Sequence, residues 1–94
     1  PSGEMNFIPM PDGSIKAVRP ENVSVSPGTG GNLDGYVRTI MMLGHYIEMT
    51  VDTDCGIVKL FVSAEEAEQY KRGNPVALTL GESHRYNDDQ SAAG

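Results

Sequence analysis

An all-β fold, a small barrel of five to six strands with one short helix, is what this 94-residue sequence predicts. Three observations predict it. Apolar residues come in short stretches rich in valine and isoleucine, cut apart by glycine, proline and asparagine, which is the punctuation of strands. Only one stretch, from Ser63, has helix start and stop signals together. A chain of this length forms one domain with a modest core.

Taken in order, Asn6 to Met10 is a short extended piece closed by the turn chemistry of Pro11-Asp12-Gly13. Ser14 to Val18 is a strand that stops at Arg19-Pro20, where proline removes a ladder donor and turns Arg19 away from helix. Pro20 to Val23 makes one helical turn, Val23 to Val25 a brief strand, and Ser26 to Gly31 an exposed loop. Leu33 to Leu43 is the longest strand, with Gly35 and Gly44 marking bulges or sharp bends. His45 to Asp52 alternates: His45, Ile47, Met49 and Val51 are expected to face the core, and Tyr46, Glu48, Thr50 and Asp52 to face away. Thr53 to Gly56 is a hairpin turn into the strand Ile57 to Val62. Ser63 and Glu66 stand at capping-box spacing, acidic residues follow in the early turns, and Lys71 and Arg72 come before a stop at Gly73. Val76 to Leu80 is the final strand, and the segment beyond Gly81 is read as loose. Residues 1–87 are expected to form the domain and 88–94 a disordered tail. The OB-fold-like (oligomer-binding) barrel is the nearest standard architecture.

Composition narrows the function classes. Hydrophobic residues make up 38% and charged residues 21%, a globular balance, and no apolar run approaches the roughly 20 residues of a membrane-crossing helix. The net charge of -6 repels phosphate backbones, so nucleic acid is not an expected partner. Cys55 is the only cysteine, which favours a reducing, cytoplasmic setting and leaves no zinc or redox pair.

Catalytic and metal constellations are sparse. No phosphate-cradling glycine loop with lysine and serine or threonine occurs. Gly28 to Gly31 has no following lysine and precedes a strand. His45 and His84 are the only histidines, and a core or rim position explains them more simply than a metal site. Cys55 lies beside Asp52 and Asp54, whose negative charge disfavours a thiolate. Met41 and Met42 continue a strand, so at least one is expected to face the core.

Four local sequences then point to one family. Val18-Arg19-Pro20-Glu21-Asn22-Val23 resembles the arginine-proline-glutamate signature of the transport-associated oligomer-binding (TOBE) domain. Gly3 to Ile8 is similar to the methionine-asparagine-phenylalanine junction by which the chain leaves the nucleotide-binding domain in proteins of this kind. Leu33 to Gly44 is similar to the family's central hairpin, and Lys71 to Leu78 to its closing strand with Gly73. The resemblance spans residues 3 to 85.

It implies a C-terminal regulatory domain of an ATP-binding-cassette (ABC) importer ATPase, not itself an enzyme. Arg19, Pro20, Glu21, Gly44 and Gly73 are its signature residues, expected to be structural. For Arg19 this means a guanidinium bridging carbonyls or a carboxylate at the chain turn, with anion binding as the other use. ATP and magnesium are expected on a separate nucleotide-binding domain, with no cofactor or metal in this fragment. The implied partners are a second copy in a homodimer, the nucleotide-binding domain of the same chain, the importer's membrane subunits and a small regulatory ligand. The implied place is the cytoplasmic side, peripheral to the inner face of the membrane. The alternative is a stand-alone barrel binding a small oxyanion. The transported substrate is open among polyamine, iron, sugar, phosphonate and oxyanion.

Overall fold

A computed structural model describes residues 4–86, so the expected tail at 88–94 lies outside the described residues. Eight strands account for most of it: β1 (Asn6–Pro9), β2 (Ile15–Val18), β3 (Val23–Pro27), β4 (Leu33–Leu43), β5 (Tyr46–Thr53), β6 (Gly56–Val62), β7 (Pro75–Leu80) and β8 (Ser83–Tyr86). A 3₁₀ turn (Pro20–Asn22) joins β2 to β3, and a single helical turn, α1 (Ala64–Ala67), lies between β6 and β7. The all-β class with one short helix is as the sequence implies, and the strand count is higher. The strand that polarity concealed is β8, which pairs with β2 and places His84 opposite Ala17. Backbone pairing at a sheet edge needs no apolar side chains, so composition was silent there.

The strands form two antiparallel sheets, β1-β2-β8 and β3-β7-β4-β5-β6. The larger sheet curls until its edge strands β3 and β6 touch, which gives a barrel-like body without a closed ladder. The core lies inside that curl. Val37, Val51 and Val58 form one row across β4, β5 and β6, and Ile40, Met49 and Leu60 form the next. Ile8 and Val18 from the smaller sheet and Tyr70 from the α1–β7 connection close over them.

Strand alternation explains the core face of β5, where Ile47, Met49 and Val51 are buried as expected. Two expectations on this hairpin are corrected. His45 is not a core residue: it stands exposed in the two-residue turn Gly44–His45, since the strand begins only at Tyr46. Thr50, expected to face solvent, is buried, and its hydroxyl bonds with that of Thr39 across the ladder. Gly44 is the turn's one residue at positive φ (70°), the pattern of a type II′ hairpin turn.

Between Val37 and Thr39 the β4–β5 register slips by a bulge. The extra residue, Arg38, reverses the phase of β4, so Leu33, Gly35 and Val37 share the core face before it and Ile40 and Met42 after it. Gly35 leaves no room for a side chain against β5: a Cβ there would run into the Asp52 carbonyl oxygen.

The helix is shorter than its capping signals imply. Its capping box forms as expected, with the Glu66 amide donating to Ser63 Oγ at 3.0 Å and the Ser63 amide to Glu66 Oε1 at 3.0 Å. It ends after one turn because Tyr70 must enter the core, where it is 7% exposed. Lys71 and Arg72 therefore lie in a turn with Asn74, not at a helix end.

Candidate interaction surface

The signature residues lie at turns of the chain, and Pro20 and Gly73 each also border a shallow surface groove. Pro20 is fully buried at the start of the 3₁₀ turn, while Arg19 and Glu21 on either side of it are exposed. The expected guanidinium bridge is absent among the described residues. It is the backbone that closes this corner: the Asn22 amide donates to the Arg19 carbonyl at 2.9 Å, and the Gly81 amide to the Asn22 carbonyl at 2.7 Å. Proline sets the turn's φ, so no side-chain fork is needed. Gly73 donates its amide to the Val37 carbonyl at 2.8 Å, and Val37 donates to the Asn74 carbonyl at 2.9 Å, pinning the β7 entry to β4.

Several polar residues that sequence reading passed over fix the rest. Asn6 is buried, and its carboxamide pairs in both directions with the backbone of Lys59: Nδ2 donates to the carbonyl and Oδ1 accepts from the amide, each at 2.8 Å. It thereby stands in for a strand at the outer edge of β6. A polar residue in the inward phase of β1, between exposed Phe7 and an acidic Glu4, was the signal available. Beside it, Lys59 Nζ meets both Glu4 carboxylate oxygens at 2.7 and 2.9 Å and Glu48 Oε1 at 3.6 Å. The Glu4 bond, aided by Glu48, holds the Lys59 ammonium above its usual pKa against a smaller opposing effect of burial. Asp34 ties down the loop before β4 by accepting from the amides of Gly30 and Gly31, which hold its carboxyl below the usual range.

With these polar groups engaged, the conspicuous exposed feature is apolar. Met41, Met42, Leu43 and Tyr46 cluster at the tip of the β4–β5 hairpin, and Met42 is 70% exposed. The Tyr46 ring packs edge-on against Phe61 at 4.9 Å between centroids, extending the apolar strip onto β6. Both methionines are exposed, although one of them, Met42, lies on the core side of β4 as expected. The bulge sends Met42 to the core side, but the tip extends past the end of the β7 pairing at Tyr36 and the side chain stays exposed among the described residues. Cys55 is half-buried in the β5–β6 turn with its thiol against the Pro9 carbonyl at 3.7 Å, a packing position.

Surface grooves are shallow. One, about 470 Å³, runs along Met10, Asp12, Ile15 and Lys16. Another, about 390 Å³, brings Arg38, Thr39 and Arg72 together with Asp52, which pairs weakly with Arg38 at 3.7 Å. Among the described residues no group of three histidine, cysteine or carboxylate side chains could hold a metal ion, and no helix is long and apolar enough to cross a membrane.

The described residues thus form a small curled antiparallel body with an apolar hairpin tip. A family model described as the TOBE domain matches residues 16–85, and the chain belongs to the TOBE-domain family. The match runs from β2 through most of β8 and takes in Arg19, Pro20, Glu21, Gly44 and Gly73. No curated protein sequence matches the chain. TOBE domains are not catalytic, and the family is associated with regulatory and molybdate-binding roles in ABC transport.

Proposed function

We propose that this chain is the regulatory and dimerisation domain of the ATP-binding subunit of a bacterial-type ABC importer. The reading places it on the cytoplasmic side, peripheral to the membrane, with ATP and magnesium held by a nucleotide-binding domain of the same protein. Family membership supports the transport setting. The observation that carries the dimerisation is the hairpin tip, where large apolar side chains stand exposed in one cluster.

A second reading, a small-oxyanion binder, draws on the family's molybdate-binding role and on the groove where Arg38 and Arg72 flank Thr39. Guanidinium forks and a hydroxyl are suitable oxyanion ligands, but Asp52 in the same groove opposes an anion. Light scattering over a concentration series, with a parallel calorimetric titration of molybdate, separates the two. A dimer that dissociates on dilution and takes up no molybdate supports the regulatory reading. A monomer that binds molybdate replaces it with the second.

A further inference from the structure

Beyond Tyr36, no described strand pairs with β4 on the side away from β5. The β7 ladder ends at the pair Tyr36 and Pro75, and the last bonds on that side are those of Val37 with Gly73 and Asn74. Val37 therefore directs its N–H and C=O away from β5. Lys59 spends its N–H and C=O on Asn6, so its partner Thr50 turns its own toward β4, and alternation along β5 turns those of Met49 and Ile47 toward β6; Ile40 and Met42, which lie opposite them, therefore point away from β5 as Val37 does. No turn, loop or cap bond reaches the backbone of Ile40 or Met42 among the described residues. The result is an open strand edge, free of charged residues from Thr39 to Leu43, in a chain of net charge -6.

We infer that this edge is a β-augmentation site for a second copy of the chain, pairing β4 antiparallel to β4 about a twofold axis at Met41. The proposal rests on the self-association reading above and names its surface. A continuous antiparallel sheet needs opposed side chains on the same face, so the opposed residue numbers must share parity. Centring the axis on Met41 meets this condition, with Ile40 opposite Met42 of the second copy and Thr39 opposite its Leu43. In that register the free N–H and C=O groups of Ile40 and Met42 on each copy bond one another and none is left over. Unlike charges are not needed and like charges do not meet, because the paired segment has none. A twofold pairing of one edge with itself also closes at two copies, which an external strand partner or a head-to-tail contact does not require. The outer-face strip of Met41, Leu43, Tyr46 and Phe61 is carried across the junction into its own mate.

The direction of the free groups makes the test selective. Met42→Pro removes an N–H that faces the open edge and leaves the β4–β5 ladder intact, so the monomer keeps its fold while pairing is lost. Met42→Lys reaches the same end by charge. Sedimentation is expected to show the unaltered chain at twice its own mass and both variants at once that mass, with circular dichroism unchanged. Amide exchange on the unaltered chain is expected to be slow at Ile40 and Met42, and to quicken on dilution. A dimer that persists in both variants with rapidly exchanging Ile40 and Met42 amides overturns the edge pairing and leaves dimerisation by another face. A chain that stays monomeric at high concentration overturns the edge pairing and the self-association together. Should Met42→Pro unfold, Met42→Lys and the exchange rates decide. A monomeric Met42→Lys, with slow and dilution-sensitive amides in the unaltered chain, then supports the pairing, and a dimeric Met42→Lys with fast amides overturns it.

Discussion

Asn6 and Gly35 are single residues at which the fold has little latitude. The Asn6 carboxamide satisfies both backbone groups of Lys59 at a buried edge, and truncation would leave them without partners. Asn6→Ala is expected to lower the unfolding free energy by about 1–3 kcal/mol, read from urea denaturation. A loss below a few tenths would mean that water replaces the carboxamide. Gly35→Ala places a methyl into the Asp52 carbonyl, and the main chain has no rotamer with which to give way. It is expected to destabilise by about 1–3 kcal/mol in the same assay. Neither role can be read from residue type. An asparagine in an N-terminal strand and a glycine early in a long one have many uses, and only the partner across the sheet selects one.

At the scale of elements, α1 shows how a cap and a helix can be uncoupled. Ser63 and Glu66 form their reciprocal bonds, yet the turn they start ends at Ala67. Ser63→Ala is expected to cost about 1 kcal/mol and to speed amide exchange between residues 63 and 70, leaving the sheets untouched. The loop before β4 offers a pH test. The Gly30 and Gly31 amides favour the Asp34 carboxylate, so its pKa in the folded chain lies below 3.8. A group lowered on folding lends stability above its unfolded pKa and loses it as pH falls through the folded value. The Gly30 and Gly31 amide resonances are therefore expected to titrate below pH 3.8, and a midpoint above it would contradict the bonding. Local sequence disclosed the strands before β8, the turn between β5 and β6, and the cap, because those are set by neighbours in the chain. The end of α1 and the existence of β8 were decided by segments far away in sequence, whereas His45 was exposed by its own hairpin turn and Met41 by the bulge three residues before it.

For the whole molecule, charge and apolar contact pull in opposite directions. Two copies each carrying a net charge of -6 repel, whereas the proposed junction holds no charge. Raising sodium chloride from about 0.05 to 0.5 M shortens the screening length from roughly 14 to 4 Å and is expected to tighten the dimer. Sedimentation at both salts checks this, and a dimer loosened by salt would assign its cohesion to ion pairs instead. The β-rich body was legible from strand punctuation, and the family from short motifs of which three lie within the matched residues 16–85; the corner at Arg19-Pro20-Glu21 is closed by backbone bonds of Asn22. The hairpin tip was less so. A run such as Ile40-Met41-Met42-Leu43 reads as core until a bulge, a hairpin turn and the early end of β7 are placed around it.

The Asn6–Lys59 pairing also has a mechanical side. Tension applied at residue 4 reaches β6 almost at once, through the carboxamide bonds and the Glu4–Lys59 contact, with only one residue of slack between them. Because β6 is the far edge of the curled sheet, such a pull loads the seam where β6 meets β3 and spares the β4 edge on the other flank of β5. A pull at Glu4 is thus borne by one edge of the larger sheet, two strands away from β4.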